Sequence, residues 1–127
     1  MVVILTFANQ KTPGLHNWEA TMRKFGHDGV VIGMGRKWNG FMTKIQGYQE
    51  YISGLPSETI VTITDAFDVM ACRPAKGLLE AYLQFQKPLV VSTENICVKS
   101  LNCQPVETWW RQTLQPRNRY RYVILVL

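Results

Sequence analysis

Two aspartates follow an apolar stretch in the middle of the chain. Asp65 and Asp68 come after the run IVTIT (60–64), which has the β-branched composition of a buried strand. Neighbouring carboxylates repel each other, and burying one of them alone is costly. A divalent cation takes oxygen ligands from both and, with a nucleotide present, also bridges its phosphates. The alternative is structural: one aspartate caps a helix that starts near Pro74, and the other is simply exposed.

Three further side chains are candidates for binding a nucleotide near this pair. Phe67, between the aspartates, suits either the core or stacking on a nucleobase. Trp38 poses the same choice, although its setting in GRKWNG (35–40), among polar residues and glycines, is unusual for a core residue. Lys44 falls on the first turn of the next predicted helix, where an anionic partner would offset its unfavourable position in the helix dipole. The competing interpretation of Lys44 is an ordinary exposed lysine.

The spacing of these residues argues against other phosphate or metal sites. In haloacid-dehalogenase phosphatases one residue separates the two aspartates, and the second aspartate protonates the leaving group. Here Phe67 takes that position, so this chemistry would fail. The first predicted strand is followed by NQKTPG (9–14) and not by a dinucleotide-binding GxGxxG loop. No CxxC pair or Cys/His cluster occurs, so a zinc site is not expected.

Apolar runs and helical periodicities alternate along the chain. Strands are predicted at 2–8, 30–35, 58–64, 88–93 and 120–127, and helices at 15–25, 41–54, 74–85 and 105–114. This order, with continuously apolar strands, predicts an α/β fold with a mostly parallel sheet flanked by helices. Ligands of such sheets bind beyond the carboxyl ends of the strands. Asp65 and Asp68 lie at one such end, which favours a metal and nucleotide site over a helix cap.

The bulk composition predicts one domain spanning 1–127. Of the 127 residues, 46% are hydrophobic, and the longest apolar runs are far shorter than the ~20 residues of a membrane helix. No basic segment or cleavage site marks a secretory signal, so the chain as given is expected in the cytoplasm. Three cysteines, Cys72, Cys97 and Cys103, are expected to be reduced, although the last two could close a small loop in an oxidising compartment.

The C-terminal stretch is basic and ends on apolar residues. The formal charge of the chain is +5, and RQTLQPRNRYRY (111–122) holds four arginines and no acid. A solvated tail is the first interpretation, affinity for phosphates the second, and nucleic-acid binding the weakest functional hypothesis. The final VILVL (123–127) is an ordinary closing strand, the start of a core that continues beyond the chain, or a strand through which two copies associate.

Several motifs taken together resemble a known family. GMGRKWNG (33–40), Lys44, TDAFDVM (64–70) and VVSTEN (90–95) succeed one another as in the glycosyltransferase domain of the multifunctional procollagen lysyl hydroxylases and in related collagen-type glycosyltransferases. The likeness covers roughly residues 2–95. It implies a GT-A fold, which is a Rossmann-like α/β domain that binds a nucleotide sugar.

The resemblance also implies a metal-dependent hexosyl transfer. Asp65 and Asp68 match the aspartates with which the family holds Mn²⁺ on the diphosphate of a UDP-sugar. The implied reaction moves glucose or galactose from that donor to a hydroxylysine-type protein acceptor. The implied partners are therefore a UDP-sugar and a collagen-like protein, and the compartment could equally be the lumen of the endoplasmic reticulum or a viral context.

Four other residues match positions at which the family binds the donor. Trp38 matches a tryptophan at the uridine pocket, and Phe67 replaces a tyrosine that packs against uracil. Lys44 matches a lysine that meets the phosphates. Thr6, at the end of the first predicted strand, lies where the family lines the uridine site.

The motifs cover only the donor-binding half of the family's domain. After the strand at 120–127 the family continues with an NSGG turn, an aspartate-rich helix on the acceptor side and a histidine that completes the metal site. We therefore expect a truncated domain, assign no catalytic residue, and leave open whether this chain alone is active. The alternative function is of another class: a non-catalytic nucleotide-binding or interaction module.

Overall fold

A computed structural model describes residues 1–91 as alternating strands and helices. The elements are β1 (Val2–Phe7), α1 (Pro13–Lys24), β2 (Gly29–Ile32), α2 (Phe41–Ile52), β3 (Ile60–Thr64) and α3 (Ala75–Gln84). The strands form a parallel sheet in the order β2-β1-β3. This confirms the predicted α/β, Rossmann-like fold with a parallel sheet flanked by helices. None of the three described helices has the length and apolar character needed to cross a membrane.

Residues 1–86 form one compact unit. Residues 87–91 lie outside that unit and contain neither helix nor strand. The strand predicted at 88–93 is therefore not formed over its described part, because an apolar run indicates burial but not backbone pairing with a neighbouring strand.

The other predictions for the C-terminal part concern residues outside the described range. They are the helix at 105–114, the basic stretch 111–122, the strand at 120–127, and the state of Cys97 and Cys103. The assignment of 1–127 to a single domain likewise stays a prediction.

The central strand β1 supplies most of the core. Its side chains alternate between the two faces of the sheet, as the period of a strand requires. Val3, Leu5 and Phe7 pack with Tyr48 of α2, whereas Ile4 packs with Trp18 and Met22 of α1. Because β1 is covered on both faces, residues 3–7 are all buried.

Helix α1 begins two residues earlier than its apolar pattern indicates. Thr12 is the N-cap, its side chain accepts a hydrogen bond from the Leu15 N–H, and Pro13 occupies the first turn. The Pro-Gly pair thus opens the helix and does not form a separate turn. The sequence spaces Leu15, Trp18, Met22 and Phe25 on one helical face. The first three are buried, whereas Phe25 is the C-cap residue and only partly buried.

Helix α2 buries a different face from the one that its apolar residues indicate. In the sequence, helical spacing places Phe41, Ile45, Tyr48 and Ile52 on one face. The buried residues are instead Thr43, Lys44, Gly47 and Tyr48. Gly47 lies against the ring of Phe7, so this side of α2 can approach the sheet closely. Phe41 is left exposed at the N-terminus of the helix.

Strand β2 ends at Ile32, before the glycines that the prediction had included. Gly33 and Gly35 have φ angles of +86° and +75°, which side chains rarely adopt. A Cβ at Gly33 would also overlap the ring of Phe7, whereas the space beside Gly35 is open. The two glycines turn the chain away from the sheet, and Gly33 in addition makes room for Phe7.

We therefore expect Gly33→Ala to destabilise the protein more than Gly35→Ala. Both changes force alanine into a left-handed conformation, at a cost of about 1–2 kcal/mol, and Gly33→Ala adds an overpacking cost of about 1–3 kcal/mol against Phe7. Urea unfolding of the two variants measures the difference. Equal losses in the free energy of unfolding would contradict the packing role of Gly33.

Candidate functional site

A pocket opens where the three parallel strands end. It has a volume of about 240 Å³ and is lined by residues that end or follow each strand: Phe7, Asn9, Trp38, Phe41, Lys44, Asp65 and Phe67. The carboxyl ends of parallel strands share one edge of the sheet, so three loops distant in sequence meet here. Four of the six predicted site residues, Trp38, Lys44, Asp65 and Phe67, line this pocket.

Lys44 and Asp65 form an ion pair at the pocket. The Lys44 Nζ lies 3.6 Å from the Asp65 Oδ2, and the exposed fractions of the two side chains are 9% and 35%. The interpretation of Lys44 as an ordinary exposed lysine is therefore wrong. Burying an ammonium is costly unless a charge partner is present, and Asp65 is the partner. These two side chains are the charged groups among the seven residues that line the pocket.

The residue before Asp65 is held by side chains from three elements. The Thr64 carbonyl accepts a hydrogen bond of 2.9 Å from the Thr6 hydroxyl and lies 3.5 Å from the Tyr48 hydroxyl. The Thr64 hydroxyl accepts one of 2.9 Å from the indole N–H of Trp18. Strand β1 and helices α1 and α2 thus fix the end of β3, and with it the position of Asp65.

Thr6 lies beneath the site and is not among the residues that line the pocket. It is completely buried between β2 and β3, and its hydroxyl is engaged with Thr64. The structure thus gives Thr6 a positioning role that the sequence did not reveal. Its predicted contact with uridine stays a prediction.

Neither aspartate caps the following helix. Pro74 is the N-cap of α3, and no side chain makes a capping hydrogen bond there. The Asp65 Oδ1 instead accepts a hydrogen bond of 2.6 Å from the Ala66 N–H, which leaves Oδ2 facing Lys44. The capping role that the structural alternative gave to one aspartate is therefore wrong. Asp68 is exposed, as that alternative expected of the other aspartate, and lies outside the pocket lining.

The two carboxylates fit a hard divalent cation in their donor chemistry. Carboxylate oxygens are the ligands that Mg²⁺ and Mn²⁺ prefer, and Asp65 already directs one oxygen at a cationic group. Within residues 1–91, no group of three or more His, Cys, Asp or Glu side chains is placed to hold a metal ion. A metal ion bound to Asp65 and Asp68 would therefore need further ligands beyond these two carboxylates.

Aromatic rings form the other wall of the pocket. Trp38 is 45% exposed and Phe67 is 48% exposed, so neither is a core residue. The centroid of the Trp38 ring lies 6.1 Å from that of Phe7 and 5.9 Å from that of Phe41, the latter in an edge-to-face arrangement at 81°. These contacts are typical of stable aromatic pairs, so Trp38 is held by its neighbours while part of its surface remains accessible.

Backbone hydrogen bonds hold the loop that carries Trp38. The Gly35 N–H donates to the Asn9 carbonyl, and the Asn39 N–H donates to the Thr43 hydroxyl, both at 3.0 Å. Arg36 forms a surface ion pair of 2.6 Å with Glu50 of α2. The loop is thereby held at one end to the segment that follows β1 and at the other end to α2.

Two pocket residues, Phe7 and Phe41, were not expected from the sequence, because apolar side chains in a predicted strand and on an apolar helix face indicate the core. Asn9 follows the first strand closely, and its position predicts that it lies on the ligand edge of the sheet, although no binding role was assigned to it. The role of Phe41 depends on which face α2 buries, and the apolar pattern predicts that face wrongly.

The first turn of α1 packs on the segment that carries the aspartates. A Cβ at Gly14 would overlap the backbone carbonyl of Phe67. Only a residue without a side chain allows this approach, which is backbone against backbone and so cannot be relieved by a rotamer change. Gly14 thus helps to set the path of residues 65–68.

We expect Gly14→Ala to destabilise the protein by about 1–3 kcal/mol because the new methyl group overpacks against Phe67. Gly77→Ala is the matched control, since it also lies in a helix but has open space around it. That change should be stabilising by up to about 1 kcal/mol through helix propensity. Urea unfolding compares the two, and a neutral effect of Gly14→Ala would contradict the close approach.

A second prediction concerns the buried phenol of Tyr48. Burial raises the pKa of Tyr48 far above its ordinary value of 10.0; the Asp65 carboxylate adds to this effect, and a backbone hydrogen bond at Phe7 opposes it. Below pH 10 the phenol is protonated in both the folded and the unfolded protein, so its contribution to stability is complete. Above pH 10 only the unfolded state loses the proton, and the free energy of unfolding falls by about 1.4 kcal/mol per pH unit.

Urea unfolding of the wild type and of Tyr48→Phe between pH 9 and pH 11 tests this dependence. Other titrating groups are common to both proteins, so the difference between them isolates Tyr48. The wild type should lose stability more steeply than the variant as pH rises. Parallel curves would show that Tyr48 ionises as easily in the folded state as in the unfolded chain.

Two comparisons relate this chain to known proteins. The family model described as "PLOD GT domain" matches residues 1–105. A Caenorhabditis elegans protein named "Multifunctional procollagen lysine hydroxylase and glycosyltransferase" is 29% identical over 108 residues, covering 76% of this chain and 15% of that protein. The chain thus spans a small part of the length of that curated relative. Because the family model covers most of the sequence, this chain belongs to the family of procollagen lysyl hydroxylase glycosyltransferase domains.

Proposed function

We propose that the pocket at the strand ends binds the nucleotide of a UDP-sugar, and that this chain is the donor-binding part of a metal-dependent glycosyltransferase. The observation that carries the proposal is the meeting of exposed aromatic rings, a buried lysine and a strand-end aspartate in one pocket. Its volume of about 240 Å³ is below the roughly 300–1,000 Å³ of complete small-molecule sites. The pocket therefore suits part of the donor, with the remainder extending beyond it.

In this proposal the uracil ring stacks against the aromatic wall. Trp38 and Phe67 both line the pocket and are about half exposed, so each has ring surface to offer to a base. Stacking of a base on an aromatic ring is worth about 1–3 kcal/mol. Phenylalanine supports stacking without a hydroxyl, so Phe67 contributes no hydrogen bond to the base.

In this proposal the diphosphate binds near Lys44. This ammonium is the positive charge in the pocket lining, and its buried stem directs it there. Asp65 and Asp68 would hold Mn²⁺ beside the same phosphates. When bound, that ion would neutralise the charge that builds up on UDP as its bond to the sugar breaks.

The sugar and the acceptor are inferred from the family alone. We propose glucose or galactose as the transferred hexose. The name of the C. elegans relative, which joins procollagen lysine hydroxylase with glycosyltransferase, agrees with a hydroxylysine-type, collagen-like protein as the acceptor. No described residue is assigned a catalytic role. The second candidate function, a nucleotide-binding module without transferase activity, uses the same pocket and differs only in lacking sugar transfer after the donor has bound.

Calorimetric titration with UDP, with and without Mn²⁺, tests the donor site. We expect Mn²⁺ to strengthen UDP binding in the wild type. The double change Asp65→Asn and Asp68→Asn should reduce that gain by about tenfold or more, because the charged oxygen ligands are lost. Asp28→Asn is the control, since Asp28 is exposed and lies outside the pocket lining.

An unchanged Mn²⁺-dependent gain in the double variant would show that the aspartates do not hold the metal. Release of UDP from UDP-glucose or UDP-galactose, in the presence of a hydroxylysine peptide, then separates the two candidate functions. Release that depends on the peptide indicates a transferase, whereas binding without release is the result that a module predicts.

A further inference from the structure

The Lys44 ammonium lies beside Asp65, where a bound metal cation would also lie. The ammonium lies 3.6 Å from the Asp65 Oδ2, and that oxygen is the one not engaged by the Ala66 N–H. The oxygen best placed to bind a metal therefore already has a positive charge next to it. Lysine and a divalent cation cannot both be close to this oxygen without mutual repulsion.

Lys44 also has little freedom to leave without a new partner. Its side chain is 9% exposed, and it lies in the buried row of α2 with Thr43, Gly47 and Tyr48. An unpaired ammonium in such surroundings loses its hydration without compensation, which is unfavourable. Displacing Lys44 from Asp65 is thus unfavourable unless another anion is within reach of the pocket.

We propose that Lys44 is the counter-ion of Asp65 in the donor-free protein and that it exchanges Asp65 for the donor's phosphates when the metal and the nucleotide bind together. This proposal rests on the proposed function. Its consequence is that Lys44 discourages binding of the divalent cation alone. The diphosphate removes that obstacle, because it gives the ammonium an anion to replace the carboxylate.

The exchange makes the metal and the diphosphate bind cooperatively. Each ligand removes one partner of the Lys44–Asp65 pair and leaves the other partner free for the second ligand. Such coupling is reciprocal, so the factor by which Mn²⁺ strengthens UDP binding equals the factor by which UDP strengthens Mn²⁺ binding. Part of that factor originates in Lys44, and the site accordingly favours the metal–nucleotide complex over the free ion.

The experiment compares the full 127-residue wild-type chain with Lys44→Met, which removes the charge and keeps an apolar stem in the buried row. Binding of Mn²⁺ alone is followed through the paramagnetic resonance signal of the free ion, and UDP binding by calorimetry with and without Mn²⁺. Lys44→Met should bind Mn²⁺ alone about tenfold more tightly, since the competing charge is gone. The Mn²⁺-dependent gain in UDP affinity should shrink by a similar factor.

Two control variants test whether the effect depends on a positive charge at residue 44 or only on the net charge of the chain. Lys44→Arg keeps a cation at the site and should therefore bind Mn²⁺ alone more weakly than Lys44→Met does. Lys76→Met lowers the net charge equally, but Lys76 is exposed on α3 and pairs with Glu80, so both affinities should stay unchanged. If Lys44→Met does not fold, as judged by circular dichroism, Lys44→Gln is measured in its place with the same expectation.

The outcomes distinguish this inference from the function on which it rests. A wild type whose UDP binding is independent of Mn²⁺ overturns the proposed function and the exchange together. If UDP binding by the wild type depends on Mn²⁺, the Lys44→Met variant decides the exchange. The same dependence in that variant, or weaker binding of Mn²⁺ alone, would overturn the exchange and leave the donor site intact.

Discussion

Parallel pairing of β1 with strands on both its sides is the constraint on which the site depends. Residues 4–7 pair with β2, and residues 2–6 pair with β3. Since all three strands run in the same direction, their carboxyl ends share one edge, and the loops that continue from them must meet there. The pocket residues come from these loops and from the start of α2. A reversal of one strand would remove its loop from the site altogether.

The buried polar side chains beneath this edge of the sheet form hydrogen bonds with Thr64. Thr6, Trp18 and Tyr48 all direct hydrogen-bonding groups at Thr64, from a strand and from two helices on opposite faces. A buried polar network of this kind is stable when its members are satisfied, and it then specifies one arrangement. Asp65 thus directly follows a residue that three side chains hold in place, while its own carboxylate lies at the pocket.

The sequence predicted the order of elements and the ligand edge because both depend on local patterns. Continuous apolar runs identified three strands, and the position of Asp65 after the third of them placed it at the carboxyl edge. The partner of Lys44 could not be predicted, because an ion pair between two elements depends on which face of α2 is buried. That face depends in turn on Gly47, which lets the ring of Phe7 approach and so brings a lysine inward in place of Ile45. The same limit applies to Thr6 and Trp18, whose polar atoms find partners only after the sheet has formed.

Phe7 belongs to the hydrophobic core and to the pocket wall at the same time. Its ring lies between the backbones of Gly33 and Gly47, packs in the cluster with Val3 and Leu5, and contacts Trp38. A substitution at Phe7 would therefore change the stability of the fold and the affinity for a ligand at the same time. Directed evolution for a different nucleotide would have to leave Phe7 in place and work through Asn9, Phe41 or Phe67, which line the same pocket without belonging to that cluster.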